Sequence, residues 1–395
     1  MPTTPSRASL ADLGAEPFRI FFPLAVASGI AGASLWPLHY AGWLELYPGQ
    51  NHARLMTYGL LAGFILGFLG TALPRMLSAP PIGIRNTLLL TTLYLATQAC
   101  LVSGHIGWAD HAFLTLMLSF TTLLAIRSSQ RQDTPPPGFT LAALALACII
   151  TSASIGVAQY YNPELPSPWI QLQRLLGYQG FLLLPILGVG PYLLPRFFNL
   201  PSTHDFPETL TPNTLWWKRT ALALTAGTLI LASFIIEIQG HNRLAHALRF
   251  TITLSYLLLE FPFLRSRHPN KPLTRWLQIS FTLLITGFLA IALLPTLRVA
   301  LLHFTLIGGF SSIAFVVATR VVLGHSGQLH ILQHRHRWLT TTLTLMLIAM
   351  ATRISGDFWP KIMTSHYIYG ALAWIIAAIL WSAFVLPHVR HADPD

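Results

Sequence analysis

The stretch HARLMTYGLLAGFILGFLGTALPR, His52–Arg75, has a single charged residue, Arg54, between its two ends. An apolar run of this length can form a helix that crosses a lipid bilayer, which takes about 20 residues. Residues at steps of three or four share one face of a helix. The residues on this face are His52, Met56, Gly59, Gly63, Gly67 and Gly70. The stretch therefore predicts a membrane helix that carries a histidine above a face without side chains.

The composition of the whole chain agrees with a membrane protein. Of its 395 residues 53% are hydrophobic and only 9% are charged, whereas soluble domains have about 25% charged residues. The mean hydropathy is +0.57. We predict an all-α polytopic protein with twelve transmembrane helices. Their predicted ranges are 18–44, 53–73, 86–106, 109–126, 138–158, 170–194, 217–237, 242–264, 274–294, 298–322, 338–355 and 367–388.

The distribution of positive charge predicts the orientation. With twelve spans, the two termini and the even-numbered loops share one side, which carries 17 of the 24 Lys and Arg residues. The positive-inside rule places that side in the cytoplasm. This bias accounts for the net charge of +11, so we expect the lipid bilayer as partner and no nucleic acid. The first span lacks the basic region and cleavage site of a signal peptide. We predict a cytoplasmic segment over 1–17, a membrane domain over 18–389 and a cytoplasmic tail over 390–395.

An internal repeat is visible in the sequence. The segment GFLGTALPRML at 67–77 aligns with GVGPYLLPRFF at 188–198 at an offset of 121 residues, which pairs Arg75 with Arg196. A weaker third copy, GGFSSIAFVVATR, lies at 308–320 and ends at Arg320. Spans two, six and ten are then related, which indicates a pseudo-symmetric architecture. The alternative is chance similarity among glycine-rich membrane helices.

The glycine face below His52 has two interpretations. Small residues allow close packing of helices. They could also admit a flat haem ring along Gly59, Gly63 and Gly67, with His52 as an axial ligand of the iron. His303, near the start of span ten, is the expected second ligand, because that span resembles span two.

Two arginines lie close in sequence to these histidines. Arg54 and Arg298 could pair with the haem propionates, since guanidinium groups bind carboxylates in a two-point geometry. The alternative is that both are ordinary arginines at the membrane interface.

Several strings of this sequence resemble the NnrS family over essentially the whole chain. They are EPFRIFFPLAVASGIAG, HARLMTYG, GFLGTALPR, GVGPYLLPRFF and LHFTLIGGFSSIAFVVATRVVLGHSG. The resemblance implies a twelve-span bacterial membrane protein that contains haem and copper and is linked to nitric oxide metabolism, denitrification and tolerance of nitrosative stress. By this resemblance we expect haem b and copper as cofactors and the inner membrane as location.

The match to the family holds at some motif positions and fails at others. His52 and Met56 match the first histidine and the methionine of the family's HAHEM motif, while Arg54 replaces its second histidine and Leu55 its glutamate. A metal site that needs that second histidine is in doubt here. His303, His325 and Arg320 also match family positions. Copper cannot be placed from the sequence; Met56 with a periplasmic histidine is the candidate.

A more distant similarity is to haem-copper oxidase subunit I, which has twelve spans in a three-fold pseudo-symmetric array of four-helix repeats. Its low-spin haem is held by histidines of spans two and ten, where His52 and His303 lie. Spans six and seven contain no histidine in their apolar parts, so the copper centre of those oxidases is missing. We therefore do not expect oxygen reduction.

The sequence thus favours an inner-membrane haem protein of the nitric oxide response. It leaves open whether the protein turns over nitric oxide, senses it as a ligand or transfers electrons. A haem-free secondary transporter is the alternative from another class, because glycine-rich spans and repeats suit transporters. Against a transporter, no pair of buried carboxylates is evident, and Glu237 and Glu260 lie near the ends of spans.

Overall fold

The computed structural model describes residues 7–198, 200–261, 272–333 and 337–393. In these ranges the chain is helical and contains no β-strand beyond one isolated bridge between Arg7 and His391. The predicted segment 1–17 is thus described from Arg7 onward, and the predicted tail 390–395 as far as Asp393. The prediction of an all-α protein is confirmed.

A short helix α1 (Leu10–Ala15) precedes twelve long helical segments in the described ranges. Their bounds are α2 Phe18–Tyr40, α3 Gly49–Met76, α4 Ile84–Val102, α5 Ile106–Ser129, α6 Phe139–Tyr161, α7 Ser167–Phe198, α8 Thr214–Ile238, α9 Asn242–Glu260, α10 Pro272–Leu293, α11 Pro295–His325, α12 Arg337–Phe358 and α13 Pro360–Arg390. Each lies at one of the twelve predicted positions.

Ten of these helices are long and apolar enough to cross a membrane, and α4 and α9 are not among the ten. Both have 19 residues, and their sequences explain the difference. Helix α4 contains Arg85, Asn86 and Gln98 besides four threonines, while α9 contains Arg249 and Glu260. Twelve spans therefore remain a prediction for these two helices.

Helices α3, α7 and α11 share a structural feature that the sequence analysis did not predict. Each contains a π-helical stretch, at Leu55–Leu61, Leu176–Gly180 and Phe304–Ser311 respectively. The first two stretches begin at the same offset of 121 residues that relates their sequences. Such wider turns inside α-helices are rare and occur frequently at functional sites.

The same three helices form the centre of the bundle. In their most apolar windows 78%, 72% and 67% of the residues are buried, against at most 56% in the other candidate spans. The outer helices pack in a ring, in which α5 contacts α6, α9 contacts α10, and α13 returns to contact α2. When the helices from α2 to α13 are counted in consecutive groups of four, each contact joins the last helix of one group to the first helix of another.

Both ends of the described chain meet at one end of the bundle. The backbone N–H of Ala8 donates to the carbonyl of Arg390 at 2.8 Å. Helix α2 starts at this end, and α3 returns to it at Arg75. We call the end with Arg7 and His391 the termini end, and the end with His52 the far end.

Candidate functional site

His52 and His303 lie at the far end, near the starts of the central helices α3 and α11. The two imidazoles are half-buried and close enough to interact electrostatically, and Arg353 of α12 acts on both. The two histidines that the sequence predicts as a ligand pair therefore lie at the same end of the bundle, on two of the central helices.

Hydrogen bonds at the ring nitrogens orient both histidines. Nδ1 of His52 lies 2.9 Å from the carbonyl oxygen of Gly32, and Nδ1 of His303 lies 2.8 Å from that of Val299. A carbonyl only accepts, so Nδ1 carries the hydrogen and Nε2 keeps its lone pair. Metal-binding histidines typically donate their second nitrogen in this way. In both side chains Nε2 thus keeps the lone pair with which a neutral imidazole coordinates a metal.

The environment of His52 is rich in aromatic rings. Trp36 of α2 packs edge-on against the imidazole with a centroid distance of 5.8 Å, and Tyr367 of α13 packs against Trp36 at 5.2 Å. The guanidinium of Arg353 stacks on Tyr367 at 3.9 Å and bonds Asp357 at 3.1 Å. Sequence reasoning missed Arg353, because only the fold packs α12 against α11 and brings Arg353 within electrostatic range of His52.

The glycine face of α3 is closed by neighbouring helices. A Cβ on Gly59 would lie 2.6 Å from Cβ of Ser28, and one on Gly63 would lie 2.7 Å from Cβ of Ala25. A Cβ on Gly67 would lie 2.9 Å from the backbone of Phe18. These glycines therefore serve close packing against α2, which is the first of the two interpretations of the stripe. In this structure the face has no room for a macrocycle.

The two arginines expected near haem propionates have protein carboxylates as partners. Arg54 is buried and forms a two-point pair with Asp110 of α5, at 3.0 and 2.8 Å. Arg298 bonds Glu237 of α8 at 2.7 Å. Both guanidinium groups thus have carboxylate partners within the protein, and their pairing with haem propionates stays a prediction.

Met56 shares the vicinity of His52. Both residues border Gly32, since a Cβ on that glycine would lie 3.2 Å from Sδ of Met56, while the Gly32 carbonyl accepts from His52. A thioether is a soft ligand that suits Cu(I). The described residues provide no cluster of three His, Cys, Asp or Glu ligands around Met56.

An aromatic cluster joins α3, α11 and α13 in the core. Phe315 packs edge-on against Trp381 at 5.0 Å and against Trp374 at 6.1 Å, and Phe64 contacts Phe315 at 5.5 Å. The indole N–H of Trp381 donates to Thr319, whereas that of Trp374 is buried without a partner. Buried donors are normally paired, so this cluster contains one polar group that the protein alone leaves unsatisfied.

Sequence reasoning also missed two buried ionic clusters. Glu237 contacts Arg249 and His246 besides Arg298, and its side chain is inaccessible to solvent. Glu260 contacts His204 at 2.7 Å and Arg219 at 2.6 Å. The signal was a charged residue within or beside an apolar span, because such residues face the interior of a bundle and pair there.

A third cluster lies at the termini end. Glu16, His325 and Asp393 have ligand-type atoms within 4.8 Å of one another, as in a metal site. Arg75 contacts Glu16 and lies 3.2 Å from Asp393, and Arg19 also pairs with Glu16. Because two guanidinium groups already neutralise these carboxylates, we interpret the cluster as an ion-pair network that ties the two termini together.

Comparison with known proteins gives one result. A family model described as NnrS protein matches residues 12–392, which is nearly the whole chain. No curated protein matches the sequence.

Proposed function

Because this chain belongs to the NnrS family, we propose that it is a haem protein of the bacterial inner membrane that acts in the response to nitric oxide. The family match supports the link to nitric oxide. The haem rests on a separate observation, which is the orientation of His52 and His303.

That observation concerns the free Nε2 atoms. Two imidazoles on neighbouring central helices, each fixed through Nδ1 to a backbone carbonyl, are the donor set of a bis-histidine haem b. The proposed ring lies outside the closed glycine face. The unpaired indole N–H of Trp374 is compatible with a group missing from the neighbouring core. The two histidines therefore fit haem as ligands, although the proposed haem ring does not lie against the glycines.

The fold we propose is the three-fold pseudo-symmetric array of four-helix units with twelve spans and cytoplasmic termini. The ring of contacts between units and the π-helical stretch in each of α3, α7 and α11 support it. The charge bias supports the orientation.

Bound haem supplies an iron centre for one-electron chemistry or for a diatomic ligand. With His52 and His303 both assigned to the iron, nitric oxide would bind only in exchange for one of the two imidazoles. His52 is held by another helix through Gly32 and by Trp36, while the ring nitrogen of His303 bonds a carbonyl of its own helix. We therefore expect His303, and not His52, to be the imidazole that is exchanged for nitric oxide.

For copper, Met56 is the proposed soft ligand. His52 cannot serve both metals, because its Nδ1 is bonded to Gly32 and its Nε2 is assigned to iron. Copper at Met56 would therefore need a further ligand from outside His52. Metal analysis of the purified protein, with Met56→Leu beside the wild type, tests this assignment.

The visible absorption spectrum of the purified protein tests the haem proposal. We expect a low-spin haem b spectrum, and its loss or change to high spin in His303→Ala. The matched control is His366→Ala, which removes another far-end histidine whose ring also bonds a backbone carbonyl. A protein without haem after expression with sufficient haem supply would refute the proposal and favour the haem-free transporter.

A further inference from the structure

A cavity of about 510 Å³ runs along the axis of the bundle. The three central helices line it, α3 over residues 61–76, α7 over 182–197 and α11 over 310–325. Its volume is in the usual range of about 300–1,000 Å³ for ligand sites. The fourteen helical steps from Leu61 to Arg75 span about 21 Å. We call this elongated cavity the shaft.

The walls of the cavity and its mouth differ in chemistry. Leu, Ile, Val and Phe side chains form most of the walls. At the termini end the lining includes Arg75, Arg196 and Arg320, which are the three arginines that end the repeats in the sequence. The only carboxylate among the lining residues of the described chain is that of Asp393. The mouth therefore carries an excess of positive charge.

The three arginines differ in how closely they pair with carboxylates of the protein. Arg75 pairs with Glu16 and Asp393. Arg196 lies 3.6 Å from Asp205 and its side chain is 55% exposed. Arg320 lies over the ring of Phe197 at 6.0 Å and has no carboxylate partner in the described parts of the chain. Arg320 and Arg196 thus leave guanidinium groups available to an anion.

We propose that this cavity binds a free fatty acid, with the acyl chain along the apolar walls and the carboxylate at Arg320 and Arg196. The arginines at the mouth complement a single negative charge, and the apolar walls complement an acyl chain. The planar guanidinium group matches a carboxylate in a two-point geometry. Each methylene that leaves water contributes about 0.8 kcal/mol, so a deep apolar shaft favours a long chain.

This proposal does not depend on the haem. The mouth with Arg320 lies at the termini end, and the histidine pair lies at the far end. Substitutions at the mouth should leave the histidine pair undisturbed. The unfolding temperature of each variant in detergent reports on its correct folding, with or without haem.

Native mass spectrometry of the full-length protein in a neutral detergent tests the proposal. The probes are dodecanoate, the uncharged dodecanol and phosphatidylglycerol. We expect one dodecanoate per protein and a much weaker adduct with dodecanol. Arg320→Gln should weaken the binding of dodecanoate at least tenfold. Arg131→Gln, an exposed arginine at the same end that does not line the cavity, should leave binding unchanged.

A second variant examines the shaft itself. Ala314→Phe places a ring among the lining side chains and should reduce the binding of dodecanoate while the unfolding temperature still shows a folded protein. Equal binding of dodecanol and dodecanoate would overturn the role of the arginines. Binding that survives Ala314→Phe would overturn the shaft as the site. Displacement of dodecanoate by phosphatidylglycerol at equal concentration would show a two-chain lipid as the occupant and overturn the proposal.

Discussion

Arg54 of α3 and Asp110 of α5 form a two-point ion pair in the interior of the far end, with N–O distances of 3.0 and 2.8 Å. Arg54 is the residue that replaces the second histidine of the family motif. Its side chain is 7% exposed and that of Asp110 is 2% exposed. The pair joins α3 to α5 beside His111, which follows Asp110 in the chain. At this motif position the arginine thus provides a structural contact between α3 and α5 in this chain.

Replacing only Arg54 should destabilise the protein more than replacing Arg54 and Asp110 together. Arg54→Met leaves the Asp110 carboxylate buried without its partner, which costs on the order of 3–5 kcal/mol. The double variant Arg54→Met, Asp110→Leu removes both charges and should regain most of that loss. Thermal unfolding in detergent measures both. A double variant no more stable than Arg54→Met would show that the pair does not act as a unit.

The Glu16 cluster predicts a dependence of stability on pH. Burial raises the pKa of Glu16, but the hydrogen bond with His325 and the charges of Arg19 and Arg75 outweigh it, so the pKa lies below its usual 4.5. A carboxylate with a lowered pKa stabilises the folded state above its unfolded value. That contribution is lost as the pH falls through the lowered pKa. Unfolding temperatures should therefore drop in acid below about pH 4.5.

Glu16→Gln tests this assignment. The variant should be less stable near neutral pH and should lose part of the acid dependence of the wild type. The control is Asp205→Asn, which removes an exposed carboxylate 3.6 Å from Arg196 and should have little effect because exposed pairs are weak. Identical acid profiles for Glu16→Gln and the wild type would contradict the prediction.

The orientation of the chain can be tested with reporter fusions. Residues 7 and 391 meet at the termini end, and the turn between α6 and α7 lies at the far end. A fusion at Asp395, beyond the described residues, should report the cytoplasm, and an insertion at Pro163 the periplasm. A C-terminal fusion that is active only in the periplasm would invert the orientation.

The helices could be predicted because their signal is local. Each of the twelve predicted segments coincides with a long helix, since apolar runs and turn residues determine where helices begin and end. The same criterion is weakest for α4 and α9, in which some of the polar residues are buried against neighbouring helices. Thr87 and Thr97 of α4, for example, are fully buried.

Partners across the bundle could not be predicted in this way. The sequence shows Arg54 next to His52, but not Asp110, which lies 56 residues away and occupies its guanidinium. It shows Arg353 at the end of an apolar span, but not its closeness to both histidines. Likewise, the glycine stripe alone does not distinguish a surface for a haem ring from a packing surface for α2.

The packing and haem interpretations of α3 predict different effects of substitutions at Gly63 and His52. The structure favours a packing role for Gly63 and leaves His52 as a candidate ligand. A Cβ on Gly63 would lie 2.7 Å from Cβ of Ala25 and 3.0 Å from the hydroxyl of Tyr94. That hydroxyl also donates to the Gly59 carbonyl at 2.9 Å. Gly63→Leu should therefore separate α2 and α4 from α3, at a cost of about 1–3 kcal/mol or more.

The expected results are a loss of folded protein for Gly63→Leu and a loss of haem with retained insertion for His52→Ala. The yield of monodisperse protein in detergent reports the first, and haem content per folded protein reports the second. Gly63→Ala serves as the graded control, because a single methyl group already meets Ala25. If Gly63→Leu folds normally and loses only its haem, the ring lies on the glycine face after all. If His52→Ala keeps an unaltered haem spectrum and stoichiometry, His52 is not a ligand, and the free Nε2 atom of its imidazole has another purpose.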